Sequence, residues 1–576
     1  MAEYLSPGVY VEEFDSGPTP MQGVGTSTGG FIGVAEKGPS IGAPVFVTGP
    51  ADFTRKFGGY LHGTEFGDYR FLAHAVNHFF ANGGSKAFVM RVVPPDATIA
   101  KAKCLEGKEG TIEISARNEG SWGNSVIVSF ESSSSSKTQI LEDLGEGKYR
   151  LKSIAGFDVG DVVELEGSGK PQFSVVTNVT GNNVTFSKPF EGEVVDAGLL
   201  PKIVVKTCEM NVVVEEGETV EKYTDVSFNV LSPLFIEKVM SKSEIVRLTA
   251  KPVEGAIAPI DVVKQVFGGK GNGVKVTLSG GANGTAAALT DADFIGKDDG
   301  PGSRTGIQAF LDNTDVNIIA VPGVTSPDVQ LSLVSHCEKL ASRFAVLDIP
   351  MTAKTVPDIL QHRDIVDSDY CAMYHPWIKV FDPLDKKDTF IPPSGSVMGI
   401  FARSDSNRGV HKAPANEVLA NCTGLYANYN VIEQDLLNPK GVNLIRKFPG
   451  AGIRVWGART ASSKPLWKYV NVRRLFIYIE ESIKANTNWV VFEPNDVALW
   501  SRVKRTVEIF LEGIWRTGAL VGASPSEAFF VDVGPNTMSK DDIDNGRLIC
   551  TIGVAPVKPA EFVIFRITQK TEEAAG

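Results

Sequence analysis

The chain has 576 residues, of which 43% are hydrophobic and 22% charged, an ordinary composition for a folded protein but too long for one core, so roughly three or four domains are expected. A formal net charge of −11 argues against a nucleic-acid binder that works by neutralising phosphates. No apolar run approaches the roughly 18 residues that cross a membrane, and the 58 glycines and 32 prolines announce a strand-rich chain with many turns. The six cysteines, Cys104, Cys208, Cys337, Cys371, Cys422 and Cys550, are scattered without a CxxC pair. That is the pattern of free thiols in a reducing compartment rather than of a disulfide framework. Met1-Ala2-Glu3-Tyr4-Leu5 has no basic or apolar leader character, so folding in a cytoplasm is expected.

In chain order, Ser6-Pro7-Gly8 is a turn signal, and Val9, Tyr10, Val11 and Glu12 after it read as a strand. A Gly, Thr, Ser and Pro-rich stretch over 15–30 tethers it, and strands are expected at 30–35 and 44–48. Phe71, Leu72, Ala75, Val76, Phe79 and Phe80 recur at helical spacing. Asn82-Gly83-Gly84 ends that helix before a strand at 87–93. From 97 to 250 the chain changes character, with five serines at 132–136 and short alternating runs such as 175–179 and 183–186. Residues 101–250 hold 16 basic and 23 acidic residues, a net of −7, as suits a β-rich insertion with a solvated acidic surface. A glycine-rich connection follows.

From 305 strands and helices alternate: a strand at 316–321, a helix at 328–340, a strand at 344–347 ending in Asp348, a helix at 356–363 and a strand at 369–373. This alternation predicts a parallel sheet covered by helices. Val472, Leu475, Phe476, Ile479 and Ile483 mark one amphipathic helix; Trp500, Val503, Val507, Phe510, Leu511 and Ile514 mark another, with Asn495 as its expected N-cap. Strands are expected at 528–533 and 548–554, and a last one comprises Phe562, Val563, Ile564, Phe565, Arg566 and Ile567.

Several segments carry a resemblance. At the start these are Tyr4-Leu5-Ser6-Pro7-Gly8-Val9-Tyr10-Val11-Glu12-Glu13, Ser27-Thr28-Gly29-Gly30-Phe31-Ile32-Gly33-Val34-Ala35-Glu36-Lys37-Gly38-Pro39 and Phe79-Phe80-Ala81-Asn82-Gly83-Gly84. Later come Pro392-Pro393-Ser394-Gly395, Arg408-Gly409-Val410-His411-Lys412-Ala413-Pro414-Ala415-Asn416, Arg454-Val455-Trp456-Gly457-Ala458-Arg459-Thr460, Tyr469-Val470-Asn471-Val472-Arg473-Arg474, Asn545-Gly546-Arg547 and Ala555-Pro556-Val557-Lys558-Pro559-Ala560-Glu561-Phe562. In this order the series resembles the phage contractile tail sheath family, which includes the sheaths of tailocins and related injection systems. Residues 97–250 resemble nothing in it.

The fold class is thus mixed α/β and β, multidomain. The resemblance implies a core built from both ends of the chain, a non-catalytic α/β middle domain similar in topology to subtilisin, and terminal arms that add strands to neighbouring subunits. The corresponding division is an N-terminal arm (1–25), the N-terminal part of the core (26–96), the β-rich acidic outer insertion (97–250), the glycine-rich connection (251–304), the middle domain (305–461), a C-terminal core domain (462–558) and a C-terminal arm (559–576). The resemblance also implies a subunit that stacks in helical rings around an inner tube protein and contracts. Its partners would be itself, the tube, a baseplate and a tail terminator or cap, with no cofactor, metal, nucleic acid or direct membrane insertion. It would be found in the cytoplasm of the producing bacterium during assembly, then in a virion tail or injection particle. The arm strands would be Val9–Glu12 and Phe562–Ile567. The candidate tube-facing residues are Arg502, Lys504, Arg505, Lys540, Asp541, Asp542 and Arg547. The alternative is a surface decoration or receptor-binding protein, suggested by the serine-rich insertion.

Three chemical readings compete with a structural role. Asp348 after a strand and His336 on the preceding helix could belong to a hydrolase, but no Gly-x-Ser-x-Gly elbow supplies a nucleophile. His74 and His78 have zinc-like spacing without a third ligand or an HExxH motif. Gly269-Lys270-Gly271-Asn272-Gly273 lacks the hydroxyl and setting of a phosphate loop. Residues 401–474 hold 12 basic and four acidic residues, a net of +8. This excess either grips a partner or is absorbed by acids elsewhere in the fold.

Overall fold

The computed structural model describes residues 21–107, 110–167, 170–190, 203–252, 260–267 and 273–566. Its largest element is a nine-stranded sheet made of β1 (Gly29–Val34), β2 (Val45–Val47), β3 (Ala87–Val92), β4 (Ile318–Ala320), β5 (Phe344–Asp348), β6 (Cys371–His375), β7 (Glu417–Val418), β8 (Val442–Phe448) and β9 (Gly452–Val455). The order is β2-β3-β1-β4-β5-β6-β8-β9-β7. The six strands from β3 to β8 run parallel, while β2 pairs antiparallel with β3 on one side and, on the other, β9 pairs antiparallel with β8 and β7 antiparallel with β9. All of β1, β5 and β6 is buried, as strands covered on both faces must be.

Alternation along each strand sends side chains to two cores. Phe31 joins Phe344, Ala372 and Tyr374 under α1 (Leu72–Ala81) and the later helix at Ser394–Arg408. Ile32 and Val34 join Ala345, Leu347 and Met373 under α2 (Pro327–Leu340) and α3 (Val356–Arg363). The helix Ser394–Arg408 is α4, and it crosses α1 closely. A Cβ on Gly395 would lie 2.3 Å from the carbonyl oxygen of Ala75, and one on Gly399 2.4 Å from that of Phe79. Two glycines one turn apart let the backbones approach where any side chain would hold them off.

Segments 26–96 and 305–461, expected as separate units, therefore share one sheet. β1 fits between β3 and β4 because its apolar residues need cover on both faces and both edges. The outer region holds a three-stranded sheet, a four-stranded sheet and a closed barrel of six short strands between Lys137 and Thr207, with two cores of its own. It extends past the expected boundary at 250. The helix Ile260–Phe267 packs Val262, Val263 and Val266 into the outer core, and the strand Val274–Thr277 pairs with Ile127–Ser133. The expected connection at 251–304 is thus partly structured.

The C-terminal part comprises α5 (Val470–Asn486), α6 (Val497–Arg516), the antiparallel pair β10 (Phe529–Val533) and β11 (Cys550–Val554), and α7 (Lys540–Asp544) between those strands. Leu475, Ile479, Val503, Val507, Phe510 and Leu511 form its core. Asp496, not Asn495, caps α6 by accepting a hydrogen bond from the Leu499 amide. Asn495 instead accepts from the Trp500 indole at 2.7 Å and donates to the Arg547 carbonyl at 3.1 Å. The expected last strand is not formed over its described part: residues 562–566 have no regular structure, and among the described residues no sheet edge receives them. Ile567 and the arm strand at Val9, Tyr10, Val11 and Glu12 lie outside the described residues. None of the six cysteines forms a disulfide, and four of them are buried.

Candidate assembly interface

The two chain ends leave the body along one helix. The segment before β1 lies on α5: the Gln22 amide donates to the Asn486 side chain at 3.2 Å, and Asn486 returns a bond to the Gln22 carbonyl at 2.8 Å. The Val24 amide donates to Ser482 Oγ at 3.1 Å. Arg474 donates to the Thr26 carbonyl at 2.8 Å while forming a buried, two-pronged pair with Asp405, which also accepts from Thr26 Oγ1 at 2.7 Å.

At the other end of α5, Glu561 is held by four bonds. Arg459 donates through Nε and a terminal nitrogen at 2.8 and 2.6 Å, Asn438 at 2.9 Å and Tyr469 at 3.1 Å. Burial pushes this carboxyl up, but the bonds from Arg459, Asn438 and Tyr469 outweigh it and hold it below the usual range. Asn471 of α5 donates to the Val557 carbonyl at 3.3 Å. One residue past this clamp the environment changes: Phe562, Val563, Ile564 and Phe565 are 70–84% exposed. Four consecutive large apolar residues in water are a surface awaiting cover.

The candidate tube-facing residues fall on two neighbouring pieces. Arg502 and Arg505 are exposed and Lys504 half-buried on α6. Arg502 lies over the Trp489 ring at 5.0 Å and 3.8 Å from Glu493. On and after α7, Arg547 bonds to both Asp541 and Asp542, at 2.9 and 2.8 Å. Bonds from Ser539, then from Arg547, hold the Asp542 carboxyl low. Arg547 thus fastens its own turn, and Lys540 is left exposed beside it. The bond from Asn495 to the Arg547 carbonyl joins the two pieces.

The basic excess at 401–474 is only partly absorbed inside the fold: five of its twelve basic residues pair with acids, and two of those acids lie outside the window, which lowers the net from +8 to +6. Arg459 pairs with Glu561, Arg473 with Asp369, Arg474 with Asp405, and both Arg403 and Lys412 with Glu417. Glu561 and Asp369 lie outside that window, so a local charge count exaggerates what the surface shows.

The chemical readings find no assembled site. Asp348 is buried at the end of β5, where it accepts bonds from Ser394 Oγ at 2.7 Å, the Ser394 amide at 2.9 Å and the Gly323 amide at 3.2 Å. It caps the start of α4. Burial, only partly offset by these bonds, pushes its carboxyl up to about 6. His336 instead bonds to Arg343 at 3.3 Å, and Arg343 precedes the opposite end of β5, about 16 Å of backbone from Asp348. His74 faces Asp382 at 3.5 Å and His78 faces Ser396 at 3.2 Å. They do not converge, and among the described residues no three His, Cys, Asp or Glu side chains are grouped for a metal. The glycine run at 269–273 lies largely outside the described residues.

Pattern reading missed the α5 stripe. Asn471, Arg474, Tyr478, Ser482 and Asn486 recur at three- and four-residue spacing beside the apolar stripe and share one face. Their polarity marks them as solvent-facing until the chain ends are seen lying there.

Residues 296–461 match the profile of the phage tail sheath protein central domain, and residues 462–570 that of the phage tail sheath C-terminal domain. The tail sheath protein of Escherichia phage P2 is 24% identical over 364 residues, covering 60% of this chain and 87% of that protein. In an extracellular contractile injection system, the PVC sheath in its contracted state is 20% identical with a TM-score of 0.53, covering 100% of both chains. That likeness is one of fold. A chain of the anti-feeding prophage baseplate is 33% identical, covering 45% of this chain and 69% of that one, with a TM-score of 0.40.

Proposed function

The chain belongs to the phage tail sheath family, and on that premise we propose that it is the sheath subunit of a contractile machine, stacking in helical rings around an inner tube and contracting to drive the tube through a target envelope. The observation that carries this reading is the exposed run Phe562–Phe565 just past the Glu561 clamp. A strand leaving a fixed point can satisfy its backbone and cover its apolar face by adding to a sheet edge on another subunit. The two-stranded β10–β11 sheet, with Phe530 exposed on it, pairs with no further strand among the described residues and offers edges of that kind. Val9, Tyr10, Val11 and Glu12 would be the matching strand at the other end.

Arg502, Lys504, Arg505 and Lys540 are the candidate contacts to the tube, where charge gives an attraction that can break and re-form without a dry interface. Asp541, Asp542 and Arg547 would act there as one fastened turn. The outer region, residues 97–250 and its extension to Thr277, would face away from the tube. The parallel sheet would be the middle domain with subtilisin-like topology, serving as scaffold rather than enzyme: Ser394 is buried against Asp348, whereas a nucleophile must meet its substrate. With no fuel site in the reading, the energy of contraction would be stored in a metastable lattice whose subunits repack as rigid bodies. Baseplate and terminator would bound the stack, first in the producing bacterium's cytoplasm and then in a tail or injection particle.

The closed barrel in the outer region favours a second role as a surface module on the assembled particle, in place of or beside the sheath role. Negative-stain electron microscopy of the purified protein, alone and with its tube protein, decides between them. Hollow striated cylinders are expected; monodisperse particles under all conditions would favour the decoration role.

A further inference from the structure

We propose that α5 is a strut that fixes the separation of the two arm exits within each subunit, so that displacement of one arm is carried to the other without slack. This rests on the sheath reading above. The 17 residues of α5 make a rod about 25 Å long, and its polar stripe grips a chain end at each extreme. Asn471, with Tyr469 just before the helix, holds Val557 and Glu561. Arg474, Ser482 and Asn486 hold Thr26, Val24 and Gln22. Between them Tyr478 lies against Gly23 so closely that a Cβ there would come within 2.0 Å of its phenol oxygen. The grips at Asn471 and Asn486 are about 22 Å apart along the rod.

The strut is itself tied into the body. Arg474 joins it to Asp405 of α4, and Arg473 joins it to Asp369 ahead of β6, while Leu475 and Ile479 seat it in the C-terminal core. Within the described residues each end segment is therefore fastened at definite points: the helix holds Gln22 on one side, with Met21 packed on the C-terminal core, and Val557 on the other, beyond which Arg459, Asn438 and Tyr469 clamp Glu561. Motion between lattice states is then confined to what lies beyond those points, as hinges at element ends require. A subunit whose exits could slide independently would absorb a neighbour's displacement; one with a fixed span must pass it on.

The test uses spin labels at Gln22→Cys and Lys558→Cys in a Cys422→Ser/Cys550→Ser background, diluted with unlabelled subunits so that distances within one subunit are read. The expected result is one narrow distance that stays within about 1 Å between the monomer and both tube states, as for a rigid body. A shift exceeding about 5.4 Å, one helical turn, or a split distribution between tube states would overturn the strut. The second variant, Ser482→Ala/Asn486→Ala, is measured in the monomer, where a broadened distribution is expected. A distribution as narrow as the parent's would overturn the proposal independently of assembly. A protein that forms no tubes under any condition contradicts the sheath reading instead, leaving the monomer measurement to decide the strut.

Discussion

Lowering the pH from 7 to 5 should sharply destabilise the α/β body. Five of the seven histidines, His74, His78, His336, His362 and His375, are buried there. Burial is the largest influence on each and lowers them all, with pKa values of about 4 for His78 and His362 and about 3 for His336 and His375, while His74 is lowered in a buried pair with Asp382, which opposes the shift. In the unfolded chain each titrates near 6.5. Between those values the unfolded state binds more protons, so stability falls as pH falls. At pH 5 each of His78, His336, His362 and His375 has cost about 2 kcal/mol, and the four together about 8 kcal/mol. Asp348 works in the opposite sense, because its folded pKa of about 6 lies above the unfolded value, and it returns about 1.4 kcal/mol at pH 5. The net loss of about 7 kcal/mol is comparable to the whole stability of a typical domain. Calorimetry of the monomer at constant ionic strength should show the body's transition falling steeply below pH 6.5. His362→Gln, which keeps a donor for Gln330, should flatten that dependence by about one quarter, one histidine's share of the linkage. A transition midpoint constant from pH 7 to 5 would refute the assignment of neutral buried histidines.

Arg474→Ala strands Asp405 in a buried site and should cost about 3–5 kcal/mol in urea unfolding of the monomer; a loss below about 1 kcal/mol would mean the pair is solvated. Glu561→Gln should weaken the C-terminal clamp by about 1.5–3 kcal/mol, read as faster amide exchange at 557–561 with the body's midpoint unchanged. Deleting residues 1–14 should leave a folded monomer that forms no tubes, and normal tubes from it would remove the N-terminal arm from the assembly scheme. Charge reversal at Arg502 and Arg505, or at Lys540, should weaken co-assembly with the tube; if neither does, these faces are not the inner wall. Arg547 is unsuitable for that test, because reversing it also breaks its bonds to Asp541 and Asp542.

Local order was legible in the residues. The helix at 328–340 begins at Pro327 and the one at 356–363 spans Val356–Arg363, because periodicity and caps act over a few residues and are written locally. The parallel sheet followed from strand–helix alternation, but the seat of β1 did not: an apolar run states that it needs cover, not which strands give it. The same limit governs the assembly surfaces. Arg459, Tyr469 and Glu561 all lie in the segments that carry the family resemblance, yet their mutual bonds depend on bringing together positions up to 102 residues apart. Sequence by itself determined most of the elements and the family pattern, and only the structure showed Phe562–Phe565 exposed and without regular structure. Only the tertiary structure decided that part of the basic excess is paired internally and that the segments at 22–26 and at Val557 lie on one helix, because charge pairing and hydrogen bonding depend on distance in space and a sequence records distance along the chain.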